Sequence, residues 1–209
     1  IIENIMGIKR RKGSIQIGKK PLLINNLKQI INVIDEQKIG EIKKLRDRSI
    51  ILIGFACGFR RNDIVSLAYE DVDFVQEGLK SNIRRSKTDQ FGEGSAKGLP
   101  YFDNSQYCPV VSMRKWIKIS KLNSGALFRR FTKGSKLSEK RLTDQTVALL
   151  IKEYLKLAGI ESKNYYGHSL RSGFATSAAE SGVEERTIMA MTGQKSTEMV
   201  RRYIKEANI

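Results

Sequence analysis

GHSLRSGFATSAAESG, residues 167–182, is the stretch on which the fold of this chain turns. It reads as a helix over about 168–181, with His168 and Arg171 three residues apart and so on one helical face. A lone histidine is more often structural. Beside an arginine at this spacing it becomes a candidate for moving protons next to an anion. Downstream, TGQKSTEMVRRYI (residues 192–204) places Tyr203 nine residues after Gln194. Upstream, RSKTDQFGEG (residues 85–94) sets Lys87 at the mouth of a glycine-rich hairpin. Further upstream, in CGFRRNDIVSLAYEDVDF (residues 57–74), a glycine ends an apolar helix and Arg60 follows at once.

The elements between these patterns are predominantly helical. Leu27, Ile30, Ile31 and Ile34 recur at helical spacing after Pro21. Gly40 opens a second helix that ends near Gly58. Its segment from Ile50 to Cys57 is apolar nearly all round, which marks it as central. Asp71–Val75 and Leu79–Arg85 are strand candidates, and Gly92, Gly94 and Gly98 crowd the region after them. Pro109 suits a first helical turn and Thr143 an N-cap. Val147, Leu150, Ile151, Tyr154, Leu155 and Ala158 make one apolar face that Gly159 stops. Further helices are expected over 184–191 and 197–205. The predicted class is mainly α with one small antiparallel β-sheet near the middle, an α+β fold.

The charge narrows the partner. Lys and Arg number 38 against 22 acids in 209 residues, a net charge of +16, with 40% apolar residues available for a core. That excess in a folded domain points to a polyanion, most often nucleic acid. The clusters Lys9-Arg10-Arg11-Lys12, Lys19-Lys20, Lys43-Lys44 with Arg46 and Arg48, Arg84-Arg85-Lys87, Arg129-Arg130 and Arg201-Arg202 are expected to form a surface that tracks a phosphate backbone. Cys57 and Cys108 are read as thiols in a reducing compartment. One histidine and two separated cysteines do not make a zinc site. No run of 18 apolar residues reads as a membrane span, and no signal peptide is visible.

Taken together and in order, the four patterns resemble the tyrosine recombinase (phage integrase) family, over roughly residues 20–205. The resemblance implies that family's catalytic-domain fold. It also implies cleavage and rejoining of double-stranded DNA through a 3′-phosphotyrosyl link, with no cofactor and no metal. Arg60, Lys87, His168, Arg171, Gln194 and Tyr203 match the catalytic positions, and Asp63 matches an acid that supports the first arginine. The chain departs from the pattern at Gln194, where the family usually has His or Trp, and at Asp63, where it often has Glu. Glutamine does not titrate, so Gln194 is limited to hydrogen bonding.

The chemistry explains these residue types. Attack on a phosphodiester builds negative charge on the non-bridging oxygens, and Arg60 and Arg171 offer planar paired donors to them. A tyrosine with a pKa of about 10 is ionised about once in a thousand molecules at neutral pH, so the phenolate costs about 4 kcal/mol. The arginines lower that cost, His168 is the proton acceptor, and Lys87 is the donor to the leaving 5′ oxygen. Rivals stand beside these assignments. Arg60 also suits a helix C-cap, Lys97 across the hairpin competes with Lys87, and Tyr165 and Tyr166 are alternative tyrosines.

Two other activities fit the motifs: a type IB topoisomerase-like DNA-relaxing enzyme, and a catalytically weakened DNA-binding integrase relative. A basic RNA-binding module is a third reading, without an RRM-type aromatic motif to support it. The chain starts at Ile1 rather than Met. Residues 1–20 read as a basic linker or arm and 21–209 as the catalytic domain, with the family's N-terminal DNA-clamping domain absent. Lys9, Arg10, Arg11, Lys12, Arg84, Arg85, Arg201 and Arg202 are the expected DNA contacts. The resemblance further implies a tetramer on DNA for the full-length protein, a mostly monomeric, weakly binding fragment, and a cytoplasmic, nucleoid-associated location.

Overall fold

The computed structural model describes residues 20–83, 95–194, 197–198 and 200–201. Its helices are α1 (Ile24–Glu36), α2 (Glu41–Ala56), α3 (Arg61–Ser66), α4 (Pro109–Ser120), α5 (Asp144–Leu157), α6 (Ser169–Glu180) and α7 (Glu185–Thr192). Thr197, Glu198, Val200 and Arg201 are helical as well. One antiparallel sheet runs β1 (Val72–Val75), β2 (Gly78–Ile83), β3 (Ser95–Pro100), and β4 (Arg129–Phe131) pairs with β5 (Leu137–Arg141) in another.

The helices form where the sequence pattern demands them. The α1 stripe Leu27, Ile30, Ile31 and Ile34 is buried. Pro109 opens α4 at its first turn. The Thr143 hydroxyl accepts from the Thr146 N–H at 3.3 Å at the start of α5, and Gly159 beyond its end is left-handed. Helix α2 is the hub. Ile50 to Phe55 are buried, and the helix packs against α1, α4 and α6. Trp116 of α4 and Phe128 stack with centroids 6.4 Å apart.

Charge also lies inside this core, contrary to the expectation that Arg46 and Arg48 would line a phosphate-tracking surface. Asp47 is fully buried. It accepts from Arg46 Nε at 2.8 Å, Arg46 NH2 at 2.6 Å, Lys43 Nζ at 2.9 Å and the Tyr154 hydroxyl at 2.8 Å. Burial and the neighbouring Asp47 carboxylate both push the Tyr154 phenol upward. Arg46 also donates to Arg129 O at 3.1 Å, Arg48 pairs with Asp35, and Lys44 donates to Asp35 O at 2.9 Å. Arg129 donates to Ala126 O and Ser124 O. The reason is physical. Arg46, Asp47 and Arg48 lie where the helix enters the core and have little solvent to face, so their charges are paired within the protein.

The two-stranded sheet β4–β5 corrects the expectation of a single sheet. Its sequences, RRF and LSEKR, are short and mostly charged, and with only Phe131 and Leu137 as half-buried apolar residues they carry no apolar alternation. In the larger sheet Lys97 lies opposite Ser81, and Leu99 opposite Leu79. Helix α6 is docked by its N-terminal half. Leu22 N donates to Ser169 O at 2.9 Å, and Ser169 Oγ to Lys20 O at 2.9 Å. Gly173 lies so close to this segment that a Cβ there would fall 1.9 Å from Leu22 O. None of the described helices is long and apolar enough to cross a membrane.

Candidate active site

The Arg60 position is set by how α2 ends. Phe59 N donates to Gly54 O and Gly58 N to Phe55 O, both at 2.9 Å, with Gly58 at φ +57°. This is the Schellman stop that a glycine after an apolar helix permits. A Cβ at Gly58 would meet Phe174 of α6 and Thr192 of α7, each at 3.1 Å. The turn is therefore wedged between two helices. Phe59 is buried beneath it, and Arg60, half-buried, caps α3. Asp63 is buried and accepts from the Arg60 backbone N–H at 2.9 Å, fixing the backbone on which the arginine stands.

Arg171 lies in the first turn of α6 and is 3% exposed. Its NH1 donates to Gly58 O at 3.1 Å, so the second arginine grips the turn two residues before the first. His168 precedes α6 and is exposed, while its carbonyl accepts from Ser172 N at 2.8 Å. The pair expected on one helical face thus stands at two depths, arginine inside and histidine at the rim.

Helix α7 ends as α2 does. Gly193 is left-handed at φ +58°, Gln194 N donates to Met189 O at 3.1 Å, and Gly193 N to Ala190 O at 3.3 Å. Gln194 Oε1 lies 3.2 Å from the Thr192 hydroxyl. Its buried Nε2 has no hydrogen-bond partner among the described residues. It is a donor available to an oxygen ligand.

Lys97 joins the two helix ends. It points inward from β3 and is 8% exposed, with its ammonium donating to Cys57 O at 2.7 Å and to Met191 O. It also sits 4.9 Å from the Phe59 ring centre. Burial lowers its pKa to about 8, with Cys57 opposing and Arg171 adding to the shift. Burial also pushes the Cys57 thiol up to about 12. From the sequence, Lys97 stands only as a rival to Lys87. The available signal was strand phase, since alternation along β3 turns Lys97 and Leu99 to the same inward side.

Lys87 and Tyr203 lie outside the described residues, as do Lys9, Arg10, Arg11, Lys12, Arg84, Arg85 and Arg202. The helical segment before Tyr203 is anchored. Val200 is fully buried against Ala175 of α6 and Ile188 of α7, and exposed Arg201 pairs with Glu185 at 3.2 Å. Of the rival tyrosines, Tyr165 is buried and raised by that burial, and Tyr166 is exposed.

Chemically, the described site is a cluster of cationic and amide donors around two helix C-terminal turns. It suits an anionic ligand with several acceptor oxygens.

Comparison with known proteins agrees with this geometry. The phage integrase family model matches residues 21–208. An integrase/recombinase xerD homolog from Selenomonas ruminantium is 40% identical over 202 residues, covering 97% of this chain and 58% of that protein. Tyrosine recombinase XerA from Pyrococcus horikoshii is 30% identical over 188 residues, covering 89% and 56%. The chain thus spans about half the length of the curated relatives it matches. A crystal structure of XerH site-specific recombinase bound to palindromic difH substrate, a post-cleavage complex, superposes with a TM-score of 0.72 at 18% identity, covering 90% of this chain and 50% of that one. The chain belongs to the phage integrase family, and its fold is that of the family's catalytic domain.

Proposed function

We propose that this chain is the catalytic domain of a site-specific DNA recombinase that cleaves and rejoins strands through a 3′-phosphotyrosyl intermediate. Tyr203 is the nucleophile, and Arg60 and Arg171 receive the charge that develops on the phosphate. His168 accepts the phenolic proton, Lys87 donates one to the leaving 5′ oxygen, and Gln194 gives a neutral hydrogen bond. The observation that carries this reading is the Arg171–Gly58 bond at 3.1 Å, which ties the two arginine-bearing segments, 111 residues apart in sequence (171 − 60), to one turn. Fixed donors aimed at developing charge are usually the largest catalytic contribution. The phosphodiester energy is conserved in the tyrosyl bond, so the cycle needs no ATP.

The partner we propose is duplex DNA, with the arm at 1–20 and Arg84, Arg85, Arg201 and Arg202 contacting backbone phosphates. The full-length protein would work as a tetramer on its site, in the cytoplasm at the nucleoid. The family match favours recombination over the topoisomerase-like alternative. The test is a duplex nicked near the cleavage site, on which the released fragment diffuses away and traps the intermediate. The wild-type chain should form a covalent protein–DNA adduct and Tyr203→Phe should form none. An adduct from the Phe variant would refute the proposed nucleophile.

A further inference from the structure

We infer that Lys97 is a positioning residue for the recombination site: its buried ammonium caps the C-terminal turns of α2 and α7 together, and so fixes the Arg60 turn against the Gln194 turn. This inference rests on the proposed DNA-cleaving role of those two turns.

Three observations converge on it. First, the two acceptors, Cys57 O and Met191 O, belong to different helices 134 residues apart (191 − 57), and a single lysine head reaches both. Each is a helix-terminal carbonyl, where a cation is favoured electrostatically and by orphaned lone pairs. Second, each acceptor lies beside a functional turn. Cys57 precedes Gly58, which Arg171 holds, and Arg60 follows. Met191 precedes Thr192, whose hydroxyl donates to Ile188 O at 2.7 Å and lies 3.2 Å from Gln194 Oε1. Third, the lysine is costly to keep here. Its head is buried beside Arg60 and Arg171, with Asp63 and the thiol of Cys57 as the other titratable neighbours, Phe59 against it and Ser81 opposite on β2. A buried like-charge neighbourhood is retained only where something compensates for it. Helix capping at two ends supplies that compensation, and in the proposed function it leaves Lys87, not this lysine, to meet DNA.

The experiment uses backbone amide hydrogen exchange by NMR on the wild-type chain and on Lys97→Met and Lys97→Arg. The probes are Gly58 and Phe59 at the α2 stop and Gly193 and Gln194 at the α7 stop. Loss of the ammonium should speed exchange at both stops together by tenfold or more, and the arginine should restore protection. Should K97M fail to fold, K97Q gives the same comparison. In cleavage of the nicked duplex, K97M should lower the single-turnover rate by at least tenfold while the DNA concentration for half-maximal rate stays within about twofold, and K97R should recover most of the rate. Unchanged exchange at both stops, or faster exchange at only one, would overturn the inference. So would a loss that appears in DNA affinity with the rate intact. If the wild-type chain forms no adduct, the proposed function fails, while the exchange result still decides whether Lys97 couples the two turns.

Discussion

Arg171 reaches across from α6 to donate to the carbonyl oxygen of Gly58 at 3.1 Å, so the turn that presents Arg60 is held by the other arginine of the site. The two arginines are one mechanical unit. Removing either should lower the rate of adduct formation by about 10²–10³-fold, the usual loss for one preorganised donor to developing charge. The double variant Arg60→Ala with Arg171→Ala should lose less than the product of the single losses, because residues acting as a unit are not additive. Single-turnover rates on the nicked duplex measure this.

Gly58 is constrained on two counts, its left-handed backbone at φ +57° and its 3.1 Å clearance from Phe174 and Thr192. Gly58→Ala should cost about 1–3 kcal/mol in urea unfolding. It should also slow cleavage, since the turn must shift away from α6 and α7 to make room for the methyl group.

Gln194 carries a buried Nε2 with no partner among the described residues. A hydrogen bond to a charged acceptor contributes about 1.5–3 kcal/mol. Gln194→Ala should therefore slow cleavage by roughly 10- to 100-fold. Its pH–rate profile should keep the wild-type shape, because glutamine does not titrate.

Asp47 tests the fold apart from the chemistry. It is buried and accepts from Arg46, Lys43 and Tyr154. Asp47→Ala leaves the Arg46 guanidinium buried without its carboxylate and should cost about 3–5 kcal/mol in urea unfolding.

Lys97 gives stability a pH dependence of known sign. Its folded pKa, about 8, lies below the ordinary 10.5. Between those values the unfolded chain holds a proton that the folded chain has released. Unfolding free energy from this group therefore rises with pH across the window, by roughly 3 kcal/mol in all. Tyr154 acts oppositely at higher pH, because its raised phenol keeps its proton in the folded state. The difference between wild type and Lys97→Met isolates the lysine. Wild type should gain on the variant from pH 8 to 10, measured by urea midpoints.

Much of the fold was legible because local signals and burial agree. The α1 stripe, the Gly58 stop, the Pro109 start and the Thr143 cap follow from spacing and backbone chemistry that a single sequence displays. The charge of α2 was misread for the opposite reason. Arg46 and Arg48 look like surface cations until their partners are seen: Asp47 beside the first, inside the core, and Asp35 thirteen residues before the second, at the core's edge. The β4–β5 ribbon half-buries only Phe131 and Leu137 as apolar residues, too few to write a strand pattern into its sequence. At the site, residue types and order pointed to Arg60, His168, Arg171 and Gln194. Strand phase turns Lys97 inward, but the two carbonyls it bridges, a group every residue possesses, left no mark in the side-chain pattern.

The most direct test of the central claim is to digest the trapped adduct and locate the nucleotide by tandem mass spectrometry. The expected result is a 3′-phosphate ester on Tyr203. Attachment to another residue, such as exposed Tyr166, or linkage through a 5′-phosphate, would contradict it.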